Sequence, residues 1–95
     1  MTYQVETTIH FDKQIKKMDR FVAITILKWL EKKVNNSENP RIYGKQLKGN
    51  LSNYWRYRVG DYRIICEIND DTLIVLAIEA GHRRKISNIL NQCNY

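Results

Sequence analysis

The chain predicts an α+β domain, with two N-terminal helices packed on one face of a small, mainly antiparallel sheet in the order β-α-α-β-β-β-α. Three observations carry this. The apolar pattern changes from strand-like to helix-like at Ile9. A two-residue Gly60-Asp61 link joins two runs rich in aromatic and β-branched residues. Residues 73–78, LIVLAI, are apolar without alternation, as in a strand covered on both faces.

Taken in order, residues 3–8 alternate weakly and read as a first strand. Phe11, Ile15 and Met18 then share one helical face, with Lys13, Gln14, Lys16 and Lys17 around it. Asp19 is suited to cap a second helix in which Ala23, Ile26, Leu27, Leu30 and Val34 form the apolar stripe and Trp29 its margin. The basic residues flanking both helices read as a solvated face. Residues 35–40, NNSENP, are a polar stop, since Pro40 biases Asn39 away from helix. Residues 41–49 read as a second connection, and its Lys45 and Lys48 are either additions to a basic face or ordinary surface lysines.

Residues 54–68 are the stretch that organises the rest. Gly60 supplies the positive φ of a type II′ turn, so Val59 faces Tyr62, Arg58 faces Arg63, Tyr57 faces Ile64 and Arg56 faces Ile65. Alternation puts Trp55, Tyr57, Val59, Tyr62, Ile64, Cys66 and Ile68 on a core face, and Arg56, Arg58 and Arg63 on the other. Like charges placed directly opposite each other destabilise a sheet. Nearby acids such as Glu67 offset them, or a polyanion docks there. The alternatives at this point are a solvated basic face and an anion site for phosphate. After a turn at Asn69-Asp70-Asp71, residues 73–78 are expected as the central strand, ended by Glu79-Ala80-Gly81. Ile86, Ile89, Leu90 and Cys93 fall at helical spacing and predict a short C-terminal helix.

Ninety-five residues suit one domain, spanning 1–95, with a single core. Sixteen Lys+Arg against ten Asp+Glu give a formal charge of +6, which favours acidic partners such as nucleic acid. No run approaches a membrane span, and the start, MTYQVETT, lacks the apolar region of a secretion signal. Cys66 and Cys93 are too few and too isolated for a disulfide framework or a zinc site, so a reduced cytoplasm is expected.

The sequence has no P-loop, dinucleotide fingerprint, HExxH or GxSxG, and no metal or small-molecule cofactor is expected. Its available tools are Arg, Lys, Tyr and His, a set that suits phosphoryl chemistry on RNA. Arginine matches phosphate geometry and keeps its charge, so it can hold a phosphorane but cannot serve as a base. His82, opening the run His82-Arg83-Arg84-Lys85, is the candidate for proton transfer, with an exposed loop histidine as the alternative. His10 reads as structural.

LKG at 47–49, YWRYRVGDYRIICEI at 54–68 and GHRRKI at 81–86 together resemble the RelE/ParE superfamily of bacterial toxins, nearest its RelE-type mRNA interferases. The resemblance implies a compact RelE-like, microbial-ribonuclease-type fold and a toxin neutralised by a RelB-like antitoxin. It also implies cleavage of mRNA in the ribosomal A site by 2′-OH attack. Carried over by position, Arg58, Arg63, His82 and Arg83 would be catalytic, and Lys45, Lys48, Arg56 and Arg84 would hold the RNA backbone. Where many relatives carry a tyrosine after the GHRR block, this chain has Ser87, which cannot stack on a base. The superfamily also admits a ParE-like toxin that binds DNA gyrase without catalysis, and a degenerate toxin that keeps only antitoxin binding.

Overall fold

The computed structural model describes residues 1–82, so Arg83, Arg84, Ser87 and the expected C-terminal helix lie outside the described residues. Strand β1 (Gln4–Thr7) leads into helix α1 (Ile9–Lys17) and helix α2 (Arg20–Trp29). Strands β2 (Gly44–Gln46), β3 (Tyr54–Val59), β4 (Tyr62–Asn69) and β5 (Ile74–His82) follow. They form one sheet in the order β1-β5-β4-β3-β2, parallel only where β1 meets β5. The predicted α+β arrangement stands, with two helices on a mostly antiparallel sheet.

Both helices start where a side chain supplies the missing acceptor. Thr8 Oγ1 accepts from the Phe11 amide, and Asp19 accepts from the amides of Phe21 and Val22. Phe11, Ile26, Leu30 and Val34 are buried with Ile15, Met18 and Trp29 beside them, as the helical spacing requires. Leu27 departs from expectation. It is 43% exposed and lies with Phe21 and Ile24 on the outside of α2. The last turn, Leu30–Val34, is π-helical, closed by the Asn35 amide donating to the Leu30 carbonyl. Asn35 also accepts from the Val5 amide, so the widened turn brings the chain back to β1.

The hairpin register is the predicted one, with Val59 opposite Tyr62 and Arg58 opposite Arg63. Gly60 has φ 58° and Asp61 does not share that sign, as a type II′ turn requires. Tyr57, Val59, Ile64 and Cys66 enter the core under the helices, with Tyr62 and Ile68 packed against it. Tyr57 is the hub of that layer. Its hydroxyl donates to the Pro40 carbonyl at 2.8 Å, and its ring lies 5.4 Å from that of Trp29.

Two boundaries differ from the sequence reading. The connection at 41–49 contains β2, which pairs with β3. Glycine allows this approach: a Cβ at Gly44 would stand 2.7 Å from both the Arg56 carbonyl oxygen and the Tyr57 ring. Strand β5, which is internal beside the median β4, does not stop at Ile78 but runs to His82. It absorbs an extra residue there. Ile65 pairs with Glu79 while Cys66 pairs with Ala77, leaving Ile78 as a bulge.

Gly44→Ala is expected to destabilise the fold by about 1–3 kcal/mol, since neither backbone nor buried ring can give way freely. Urea unfolding followed by fluorescence should show a lower midpoint with an unchanged slope. A midpoint equal to that of the wild type would remove the close approach as the reason for glycine.

Candidate functional site

Residues paired across strands project to the same face, so the register can be read as rows across the side of the sheet opposite the main core. One row is Arg58, Arg63 and Gly81. The next, two residues from the turn end, is Lys45, Arg56, Ile65 and Glu79. The third is Tyr54, Glu67, Leu76 and Glu6. Cations therefore gather toward the hairpin turn and carboxylates toward the opposite end. Ile65 anchors this side by packing with Leu47, Leu51 and Tyr54 into a second small apolar cluster, which the sequence reading missed.

Arg58 and Arg63 stand directly opposite each other, and Gly81 completes their row without a side chain. Among the described residues, no atom lies within 4 Å of where a Gly81 Cβ would stand. Half-buried Arg63 stands beside this open position, and exposed Arg58 lies one strand further along the row. Lys45 joins this face opposite Arg56, whereas Lys48 stays exposed in the loop that opens the short 3-10 turn Gly49–Leu51. Arg83 and Arg84 lie outside the described residues.

His82 is not brought to the arginines. It pairs with Tyr62, whose ring edge it meets at 5.3 Å, and so belongs to the Val59–Tyr62 side of the sheet. The sequence reading had grouped His82 with Arg58, Arg63 and Arg83 in one site, at the head of a basic run after the strand; β5 instead runs through His82 and carries it to the Tyr62 side. Glu79 was taken only as a strand end, yet it is 5% exposed on the basic face. Its Oε1 lies 3.4 Å from His10 Nε2, and its Oε2 has no hydrogen-bond partner among the described residues. An acid inside an otherwise apolar strand was the available signal.

A second concavity, about 550 Å³, lies at the far end of the hairpin and includes Arg41, Trp55, Glu67, Asp70 and Asp71 in its lining. Arg41 forms a bidentate pair with Asp70 at 2.9 and 3.0 Å and covers the Trp55 ring at 5.6 Å. Tyr3 donates to the same carboxylate. The Arg41 guanidinium and then the Tyr3 hydroxyl hold the Asp70 carboxyl below the usual carboxylate range. The hydrogen bond to Asp70 and then burial hold the Tyr3 phenol up. Three carboxylates and a neutralised arginine repel phosphate, so the basic face is the better candidate for a nucleic acid.

A family model described as the ParE toxin of type II toxin–antitoxin systems, parDE, matches residues 5–86. The chain belongs to this family, within the RelE/ParE superfamily, and is a toxin of a type II toxin–antitoxin system. Solved structures share the fold. A RelBE toxin–antitoxin complex from Mycobacterium tuberculosis aligns with TM-score 0.79 at 22% identity, over 87% of this chain and 100% of that one. An arginine-to-alanine double mutant of E. coli RelE in the free state gives 0.73 at 20%, over 97% and 93%. The RelB–RelE antitoxin–toxin complex from Methanococcus jannaschii gives 0.54 at 28%, over 82% and 89%. A search of curated protein sequences returned no match.

Because the folded Asp70 carboxyl titrates below its unfolded value, its contribution is present above about pH 4 and is lost as pH falls through the folded value. Arg41→Ala should therefore flatten the acid limb of stability, measured as the urea midpoint between about pH 2 and 6. An unchanged acid limb in the variant would show that this exposed pair does not contribute to it.

Proposed function

We propose that this toxin is an endoribonuclease that cleaves mRNA held in the ribosomal A site. The observation that carries the reading is the row Arg58, Arg63, Gly81, where two opposed arginines on neighbouring strands end at a position without a side chain. Such a seat suits one phosphate, whose oxygens accept from both forks while the sugar-phosphate backbone lies close to the strand. Arg56 and Lys45, one row back, extend the positive track along the flanking nucleotides, and Lys48 adds charge at its margin. Arg83 and Arg84 enter this reading from the sequence alone.

In the reaction, the ribose 2′-oxygen forms a bond to the adjacent phosphorus and the bond from phosphorus to the 5′-oxygen breaks. The products are a 2′,3′-cyclic phosphate and a 5′-hydroxyl. Arg58 and Arg63 stabilise the additional charge on the phosphorane. With His82 on the other side of the sheet, few groups remain for proton transfer, which is why the reading includes the ribosome. Positioning in the A site supplies part of the acceleration. The reading places the protein in the cytoplasm. The partner that silences it is an acidic, amphipathic RelB-like antitoxin segment. The basic face and the outer stripe of Phe21, Ile24 and Leu27 beside Arg20 and Lys28 suit such a segment.

A second reading has one observation in its favour, the match to a model described as a ParE toxin. In that case the protein binds DNA gyrase and cleaves nothing. Induction separates the two: translation arrest with new mRNA 5′ ends supports cleavage, and filamentation with intact mRNA supports gyrase.

Primer extension on translated mRNA should show cutting by the wild type and a loss of about 10²–10³-fold in Arg58→Ala and in Arg63→Ala. Gly81→Val should leave the unfolding midpoint close to that of the wild type but reduce cutting, because its side chain fills the seat. Equal cutting by all four proteins would remove this row from the mechanism.

A further inference from the structure

We infer that His10, oriented by Glu79, is the proton-transfer group of this site; the inference rests on the ribonuclease reading above. Glu79 is a carboxylate at 5% exposure, with Oε1 on His10 Nε2 at 3.4 Å and Oε2 without a hydrogen-bond partner among the described residues. A buried acid kept for stability normally has both oxygens satisfied. This one is built into the strand that forms one edge of the phosphate seat.

The placement is held by α1. Thr8 caps that helix, and its hydroxyl lies 3.2 Å from the carbonyl oxygens of both Ala77 and Ile78. Gln14 accepts from the Ala80 amide at 2.7 Å. The first turns of α1 are thereby fixed to β5 on either side of Glu79, and His10 is fixed with them. In this arrangement the role of Glu79 is to accept from His10 Nε2, which in the neutral ring turns the Nδ1 lone pair outward. The imidazole is 53% exposed and open to a ligand.

Glu79 is the diagonal neighbour of Arg63 on the same face, about 7–8 Å away between backbones. Gly81 stands directly opposite Arg63 and two residues along β5 from Glu79. A ribose-phosphate seated over Gly81 thus meets guanidiniums on one side and the His10–Glu79 couple on the other. His10 Nδ1 takes the proton of the 2′-hydroxyl as its oxygen bonds to phosphorus. The electron pair of the broken bond stays on the 5′-oxygen, which takes a proton from solvent. Glu79 stabilises the imidazolium and is a positioning residue, since it does not touch the RNA. Among the described residues, the other charged groups on the surrounding elements are Asp12, Lys13, Lys16 and Lys17 on α1, Glu6 on β1, Arg63 and Glu67 on β4, with His82 on β5.

The test is single-turnover cleavage of A-site mRNA on stalled ribosomes from about pH 5 to 9, with ribosome binding measured in parallel. His10→Gln should lose about 10²–10⁴-fold in rate, with its rising pH limb gone and binding intact. Free imidazole should restore part of the rate of His10→Ala, which a structural role for the ring would not give. Glu79→Gln should be slower with ribosome binding intact, and Glu79→Asp should recover part of the rate, since each changes only the group that orients the ring. If either His10 variant fails to fold, the Glu79 variants decide the matter, and wild-type rates in both Glu79→Gln and Glu79→Asp overturn the inference. Cutting by His10→Gln at the wild-type rate with the same limb overturns the inference, and if Arg63→Ala still abolishes cutting, the ribonuclease reading survives it. No cutting by the wild type overturns both.

Discussion

The two-residue reversal at Gly60-Asp61 is the constraint on which the rest of the structure depends. A link this short leaves one register, and a slip by one residue would exchange the two faces of both strands. The energies favour the observed choice. Each opposed like-charge pair costs roughly 0.2–1 kcal/mol, and there are two, Arg58 with Arg63 and Lys45 with Arg56. Fully burying one large apolar side chain contributes about 1.5–3 kcal/mol, and Tyr57, Ile64 and Cys66 are all fully buried by the same register. The core holds the arginines together against their mutual repulsion.

The bulge at Ile78 has an equally local cause and an equally long reach. Val75 and Ala77 face the core, so strict alternation would send Glu79 and Gly81 there too. The extra residue shifts the phase. Ala80 takes the core position, and Glu79 and Gly81 turn to the basic face. Without it, a carboxylate would enter an apolar core and the arginine row would end on the buried side. The same shift puts His82 on the Tyr62 side.

These two features also explain what could and could not be read in the chain. The hairpin was legible because turn chemistry, β-branched runs and alternation all lie within fifteen consecutive residues and agree. Strand β2 was not, because three residues carry no period and the reason for Gly44 is a contact with Arg56 and Tyr57 further along the chain. The bulge was hidden because LIVLAI has no alternation whose break could be seen. Once the phase of β5 was lost, so was the side on which His82 falls. His10 and Glu79 are separated by 69 positions, and nothing in either neighbourhood points to the other.

The remaining issue is what separates a nuclease face from a basic surface that merely solvates well, since the fold serves both. A solvated face gains from keeping its cations apart and fully in water. Here Arg56 and Arg63 are half-buried, two like-charge pairs are opposed, and the position beside Arg63 has no side chain. A buried carboxylate with one oxygen unpaired among the described residues lies one diagonal away, again at a cost to the isolated protein. A docking surface for a protein partner requires none of these arrangements. A site for one phosphate and one transferable proton would use all of them, which is the ground of the proposal made above.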